Sequence, residues 1–164
     1  MKLRFAETNN IPKTMNTHTA NEDCIKSCNS LLRGELSAVE TYSKAIEKYP
    51  ATPVTPELTR IQTEHREAAN KLAANIREMG GVPDTDSGAW GVFANSVQGA
   101  ANLFGTDSAI ESLQRGEEHG RNEYRDALEN EDVMDSCKRL IRNELLPKVD
   151  NHIKILERLE EIVD

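Results

Sequence analysis

Two glutamates and two histidines stand at positions where a helical core should be apolar. Residues 30–47 read SLLRGELSAVETYSKAIE and residues 112–129 read SLQRGEEHGRNEYRDALE, with eight of eighteen positions identical at an offset of 82. Self-similarity at a fixed offset marks a repeated structural unit. In the first copy the seam Ile25, Cys28, Leu32, Glu35, Val39, Tyr42, Ile46 and Tyr49 steps by threes and fours, and only Glu35 is charged. The second seam runs Ile110, Leu113, Glu117, Gly120, Tyr124 and Leu128, again with one carboxylate. His65 lies on a third seam with Leu58, Ile61, Ala68, Leu72 and Ile76. His152 lies on a fourth with Cys137, Ile141, Leu145, Val149, Leu156 and Leu159.

A carboxylate buried without a partner costs several kcal/mol, so each must be neutral, paired or bound to a cation. Carboxylate and imidazole together suit iron, manganese or zinc. Glu35, His65, Glu117 and His152 are therefore the candidate metal ligands, with Gln62, Tyr42 and Tyr124 as candidate hydrogen-bonding partners around them. The competing arrangement needs no metal. In it the two carboxylates accept hydrogen bonds from the histidines, Gln62 and the tyrosines. Gly34 and Gly116 each cost about 1 kcal/mol inside a helix, and their place beside the glutamates points to a close backbone neighbour.

Four helices must position these groups. Residues 1–18 are polar, aperiodic and contain Pro12, and are expected to be a disordered leader, leaving 19–164 as one domain. Thr19 and Glu22 form a capping box that opens a first helix over about 20–49. Pro50 and the PATPVTP run end it. Thr55 is expected to cap the second helix, with Pro56 at its first position, and Gly80-Gly81 to stop it near Met79. A long crossover, Val82–Thr106, carries Trp90, Phe93, Val97, Ala101 and Phe104 at helical spacing, so a short packing helix is expected there. Ser108 and Glu111 form another capping box for a third helix ending near Asn130. A fourth spans about 132–162, kinked near Pro147. Antiparallel geometry brings 35 level with 65 and 117 level with 152, each within about a turn or two. Glu64 and Glu118 fall about 100° off their seams and are expected to stay outside.

The composition narrows the class. Charged residues make up 29% and aromatics 4%, which with few β-branched runs indicates an all-α chain. A net charge of −8 argues against nucleic-acid or anionic-membrane binding. No stretch reaches the roughly 18 apolar residues of a membrane span, and the N-terminus lacks an apolar signal core. The expected location is the cytoplasm, where Cys24, Cys28 and Cys137 would be reduced packing residues.

The motifs Leu31–Tyr42, Glu64-His65-Arg66-Glu67-Ala68-Ala69, Gly80–Asp84, Ser87–Gly91 and Gly116-Glu117-Glu118-His119 resemble a bacterial family of ferritin-like bundles of unknown function, DUF2383. The resemblance covers about residues 22–160. It implies a ferritin-like up-down-down-up four-helix bundle of two duplicated helical hairpins, with a crossover carrying a short extra helix. It also implies that Glu35, His65, Glu117 and His152 match the ligands of metal-binding relatives. Gln62 and Val149 stand where the superfamily has its bridging glutamates, so the expected site is reduced: one iron, manganese or zinc ion, or a vestige without metal. The alternative is a structural or stress-associated bundle acting through homodimerisation or a protein partner. A di-iron oxidase or peroxide-handling enzyme ranks third.

Overall fold

The computed structural model describes residues 16–88 and 107–163, and every regular element among them is helical. Helix α1 spans Asn16–Lys48, α2 Thr55–Glu78, α3 Asp107–Glu129, α4 Asp135–Leu140 and α5 Leu146–Val163, with a π-helical turn at Ile141–Leu145 joining the last two. No helix among the described residues is long and apolar enough to cross a membrane. The first helix starts earlier than expected. Residues 16–18 are helical, and Thr19 and Glu22 lie inside α1 rather than at its start. Residues 1–15 and the crossover helix expected around Trp90–Phe104 lie outside the described residues.

One end of α2 differs from the sequence reading and the other agrees with it. The residue at the cap of α2 is Val54, and no side chain caps it. The Thr55 hydroxyl instead donates to the Tyr49 carbonyl and accepts from the Thr52 amide at 3.3 Å. It ties the Pro50–Pro53 turn together because Pro56, lacking an N–H, leaves fewer amides in need of a cap. At the other end of α2, Gly80 takes φ +82°. Its N–H reaches the Arg77 carbonyl, and the Gly81 N–H reaches that of Ile76, both at 2.9 Å. This is a Schellman-type stop, as the Gly-Gly pair implied.

The π turn explains a stride that an α-helix could not sustain. Cys137, Ile141, Leu145 and Val149 are all buried and lie four residues apart. Each stride of four overshoots a 3.6-residue turn by about 40°. Three such strides would carry the face out of the core. The wider turn, marked by the Leu146 N–H bonding to the Ile141 carbonyl, takes up part of that drift. It ends immediately before Pro147, whose ring would press on the Asn143 carbonyl in an unbroken α-helix.

Helix α1 packs on α2, α3 on α5, α1 on α3, and α2 on α4 and α5. Contacts between α1 and α3 run in opposite order, Tyr42 meeting Glu117 and Glu35 meeting Tyr124. Contacts between α2 and the last helices do likewise, through Glu64–His152, Glu67–Lys148 and Lys71–Glu144. Two apolar clusters fill the interior. One includes Cys28, Leu32, Leu72, Tyr124 and Ile141, the other Tyr42, Leu58, Ile61, Leu113 and Leu156. The four predicted ligands form a polar layer between them.

Gly81 seats the start of the crossover on this bundle. A Cβ there would lie 2.8 Å from Ile25 Cγ2 and 3.0 Å from Ile76 Cγ2. Replacing Gly81 with Ala should therefore lower the unfolding free energy by about 1–3 kcal/mol. Urea denaturation would measure it, and an unchanged midpoint would mean that this contact does not constrain the fold.

Candidate metal centre

Each of four helices delivers one predicted ligand, and the structure brings all four into one layer. Glu35, His65, Glu117 and His152 are each at most 5% exposed. His65 sits between the two glutamates. Its Nδ1 is 2.6 Å from Glu35 Oε2 and its Nε2 is 2.8 Å from Glu117 Oε1. Glu117 is shared further, since its Oε2 lies 3.4 Å from His152 Nδ1. The two tyrosines cross over between the repeated stretches. Tyr42 on α1 donates to Glu117 Oε1 at 2.6 Å, and Tyr124 on α3 donates to Glu35 Oε1. The shared offset of 82 thus becomes a reciprocal pair of hydrogen bonds.

Charges in this layer are set by competition between burial and pairing. Burial alone would lower the His65 pKa, but the adjacent Glu117 and Glu35 outweigh it and hold the ring up at about 10. His65 is thus an imidazolium at neutral pH, consistent with both ring nitrogens facing carboxylate oxygens. Burial would raise Glu117, yet His65 and His152 bring it well below the usual carboxylate range. The phenols of Tyr42 and Tyr124 are pushed well above their ordinary value by burial and by the carboxylates they bond. Both remain neutral donors.

Glu64 enters the layer, contrary to the sequence reading. Its Oε2 is 2.8 Å from His152 Nε2, and its Oε1 accepts from Arg60 at 3.1 Å. Burial disfavours its charge, but His152 outweighs burial, and its pKa is lowered. The single-seam argument failed for a geometric reason. In a four-helix arrangement each helix meets two neighbours on faces roughly a quarter-turn apart. A residue about 100° from His65 therefore points at α5 rather than at solvent. Charge and proximity to a histidine-bearing helix are the only sequence signals that mark it. Glu118 stays exposed, as expected.

Gln62 is buried but spends its amide on α1. It donates to the Val39 carbonyl at 3.0 Å and to Ser43 Oγ at 2.6 Å. Val149 is apolar packing, and Glu144 pairs with Lys71 at the surface. Arg33 and Arg115 pair with Asp84 and Glu111, as a solvated face implies. A cavity of about 60 Å³ adjoins the carboxylates between α1 and α3, with Gly34 and Gly116 in its wall.

Three donors, one each from His65, Glu117 and His152, lie within 4.8 Å of one another. A tetrahedral ion with bonds near 2.1 Å sets its donors about 3.4 Å apart. The longest of these separations would need to shrink by up to about 1.4 Å, while His65 Nε2 and Glu117 Oε1, 2.8 Å apart, would need to separate slightly to admit the ion. With His65 giving up one ring proton, the donor chemistry and burial fit a single divalent ion.

The metal-free layer makes stability depend on pH in both directions. Glu117 has a depressed folded pKa, so its contribution is present above about pH 4.3 and lost on acidification. His65 has a folded pKa raised to about 10, so its contribution is full below about pH 6.5 and lost as pH rises through 10. Chelator-treated protein should thus show its highest urea midpoint between these limits and a decline from pH 7 to 10. A flat alkaline limb would overturn the imidazolium assignment.

Residues 23–130 match a family model whose description is "Domain of unknown function (DUF2383)". No curated protein and no solved structure matches the chain.

Proposed function

The chain belongs to the DUF2383 family, and from that premise we propose that it is a metal-binding helical bundle holding one divalent ion in its polar layer. His65, Glu117 and His152 supply the donors, while Glu35 and Glu64 flank the two imidazoles. The observation that carries this reading is the convergence of three buried ligand-type side chains from three helices within 4.8 Å. Iron, manganese and zinc all suit two imidazoles and a carboxylate. A bound ion would supply positive charge to the layer and tie α2, α3 and α5 together. The bundle is read as ferritin-like and up-down-down-up. The opposed order of contacts between α1 and α3, and between α2 and α5, supports that reading.

One observation favours a second reading. Both ring nitrogens of His65 already have carboxylate partners, and both glutamates also accept from a tyrosine. Such a layer is satisfied without a metal, so the same residues would serve as a structural network in a bundle whose ion has been lost. The imidazolium then takes the place of the cation.

Elemental analysis of tag-free protein from iron- and manganese-supplemented medium separates the two. About one ion per chain is expected, and Glu117→Ala/His152→Ala protein should retain none. Glu64→Gln should weaken metal affinity about 10- to 100-fold without unfolding the chain, because it orients His152. Metal-free wild type that gains no thermal stability from added Zn²⁺, Mn²⁺ or Fe²⁺ would leave the structural network as the better reading.

A further inference from the structure

All three cysteines of the chain gather away from the Glu/His layer, in one apolar cluster between α1 and α4. Cys28 on α1 and Cys137 on α4 are fully buried, and their Sγ atoms are 2.9 Å apart. A disulfide needs about 2.05 Å, so the sulfurs must approach by only about 0.9 Å. The third thiol is held differently. Cys24 Sγ accepts the Met134 N–H at 3.2 Å and touches Met79 Sδ at 3.4 Å. Cys28 and Cys137 are thus set for joining, while Cys24, which also reaches Cys28, is held by Met134 and Met79.

We infer that Cys28 and Cys137 are a redox site, closing to a disulfide that staples α1 to α4 when the chain meets a peroxide. The reaction balances as two thiols plus hydrogen peroxide giving one disulfide and two waters. A thiolate attacks one peroxide oxygen, forming a sulfenic acid and releasing the first water. The second thiol then attacks the sulfenic sulfur and expels the other. Geometry selects the pair. Either sulfur can donate in this contact, so either can attack the peroxide first and leave the other to resolve the sulfenic acid. Because both sulfurs are buried, peroxide reaches them through local opening of this end of the bundle. Nothing in this chemistry involves the proposed ion.

The link would join positions 109 residues apart, from the first hairpin to the second. A crosslink closing so long a loop restricts the unfolded chain strongly. The sequence reading of all three cysteines as packing residues misses this because the partner of Cys28 is remote in sequence. Cys24, one turn away, is nearer in sequence and touches Cys28 as well, but the close sulfur pair is Cys28–Cys137.

The test uses the full chain, chelator-treated, before and after excess hydrogen peroxide. Thiol titration in denaturant should fall from three per chain to about one, and the mass should drop by about 2 Da as two hydrogens leave. Trypsin cuts after Lys26 and so separates Cys24 from Cys28. Fragments 27–33 and 126–138 should therefore be joined and fragment 14–26 free. The oxidised chain should melt about 5–10 °C higher, reversed by dithiothreitol, and Cys24→Ser should show the same shift while its thiol count falls from two to about none. Three persistent thiols, a bond involving Cys24, or a link between two chains would each overturn the inference. The wild-type fragment map decides this without any change to Cys28 or Cys137.

Discussion

A carboxylate buried among leucines must be neutralised, hydrogen-bonded or paired with a buried positive charge, and this core buries Glu35 and Glu117 in one layer. His65 meets that demand by placing an imidazolium between them. The geometry of the whole bundle follows from the need to keep those three side chains in register. Helices α1, α2 and α3 are each committed by one of them, and α5 is committed by His152 on the second oxygen of Glu117. The tyrosines then fix the carboxylate planes. Their hydroxyls come from the opposite repeated stretch, so α1 and α3 cannot slide past each other without breaking both bonds.

The layer is also what divides the interior. Apolar clusters lie on either side of it; both draw on α1, α2, α3 and α5, and one also on α4 and the π turn. Packing could tolerate many registers, because leucine and isoleucine side chains are interchangeable in volume within limits. Directional bonds between charged groups are not interchangeable. This gives the polar layer a specifying role whichever occupant it has, a proton on His65 or a divalent ion. The two readings differ only in what supplies the positive charge. That is why one set of residues is compatible with both.

The two halves of the layer are not alike. On one side His65 bridges Glu35 and Glu117, while on the other His152 bridges Glu117 and Glu64. The repeated stretches account for Glu35, Glu117 and their tyrosines. Glu64 has no equivalent in the second half, where Asn151 precedes the histidine and is exposed. Glu64 is also tied to the surface through Arg60, so its side of the layer connects to solvent through a charged chain. The buried dithiol lies two helical turns below Glu35 along α1, roughly 10 Å away. Helix α1 thus contributes one residue to the polar layer and one to the close sulfur pair.

Sequence alone determined that the chain is helical, where α2 stops, and which four side chains share the polar layer. Each of those follows from local physics: a 3.6-residue period, a Gly-Gly stop, and a charged group interrupting an apolar seam. The family resemblance added an arrangement for the helices. Only the tertiary structure decided the rest. Glu64 could be recruited only once α5 lay against a second face of α2, and Gln62 was drawn off by the backbone of α1. The π turn had to reconcile a four-residue stride with the core before Pro147. Cys28 acquired Cys137 as its partner across 109 residues. In every such case the deciding contact is between helices, and a one-dimensional period carries no information about which neighbour a given face will meet.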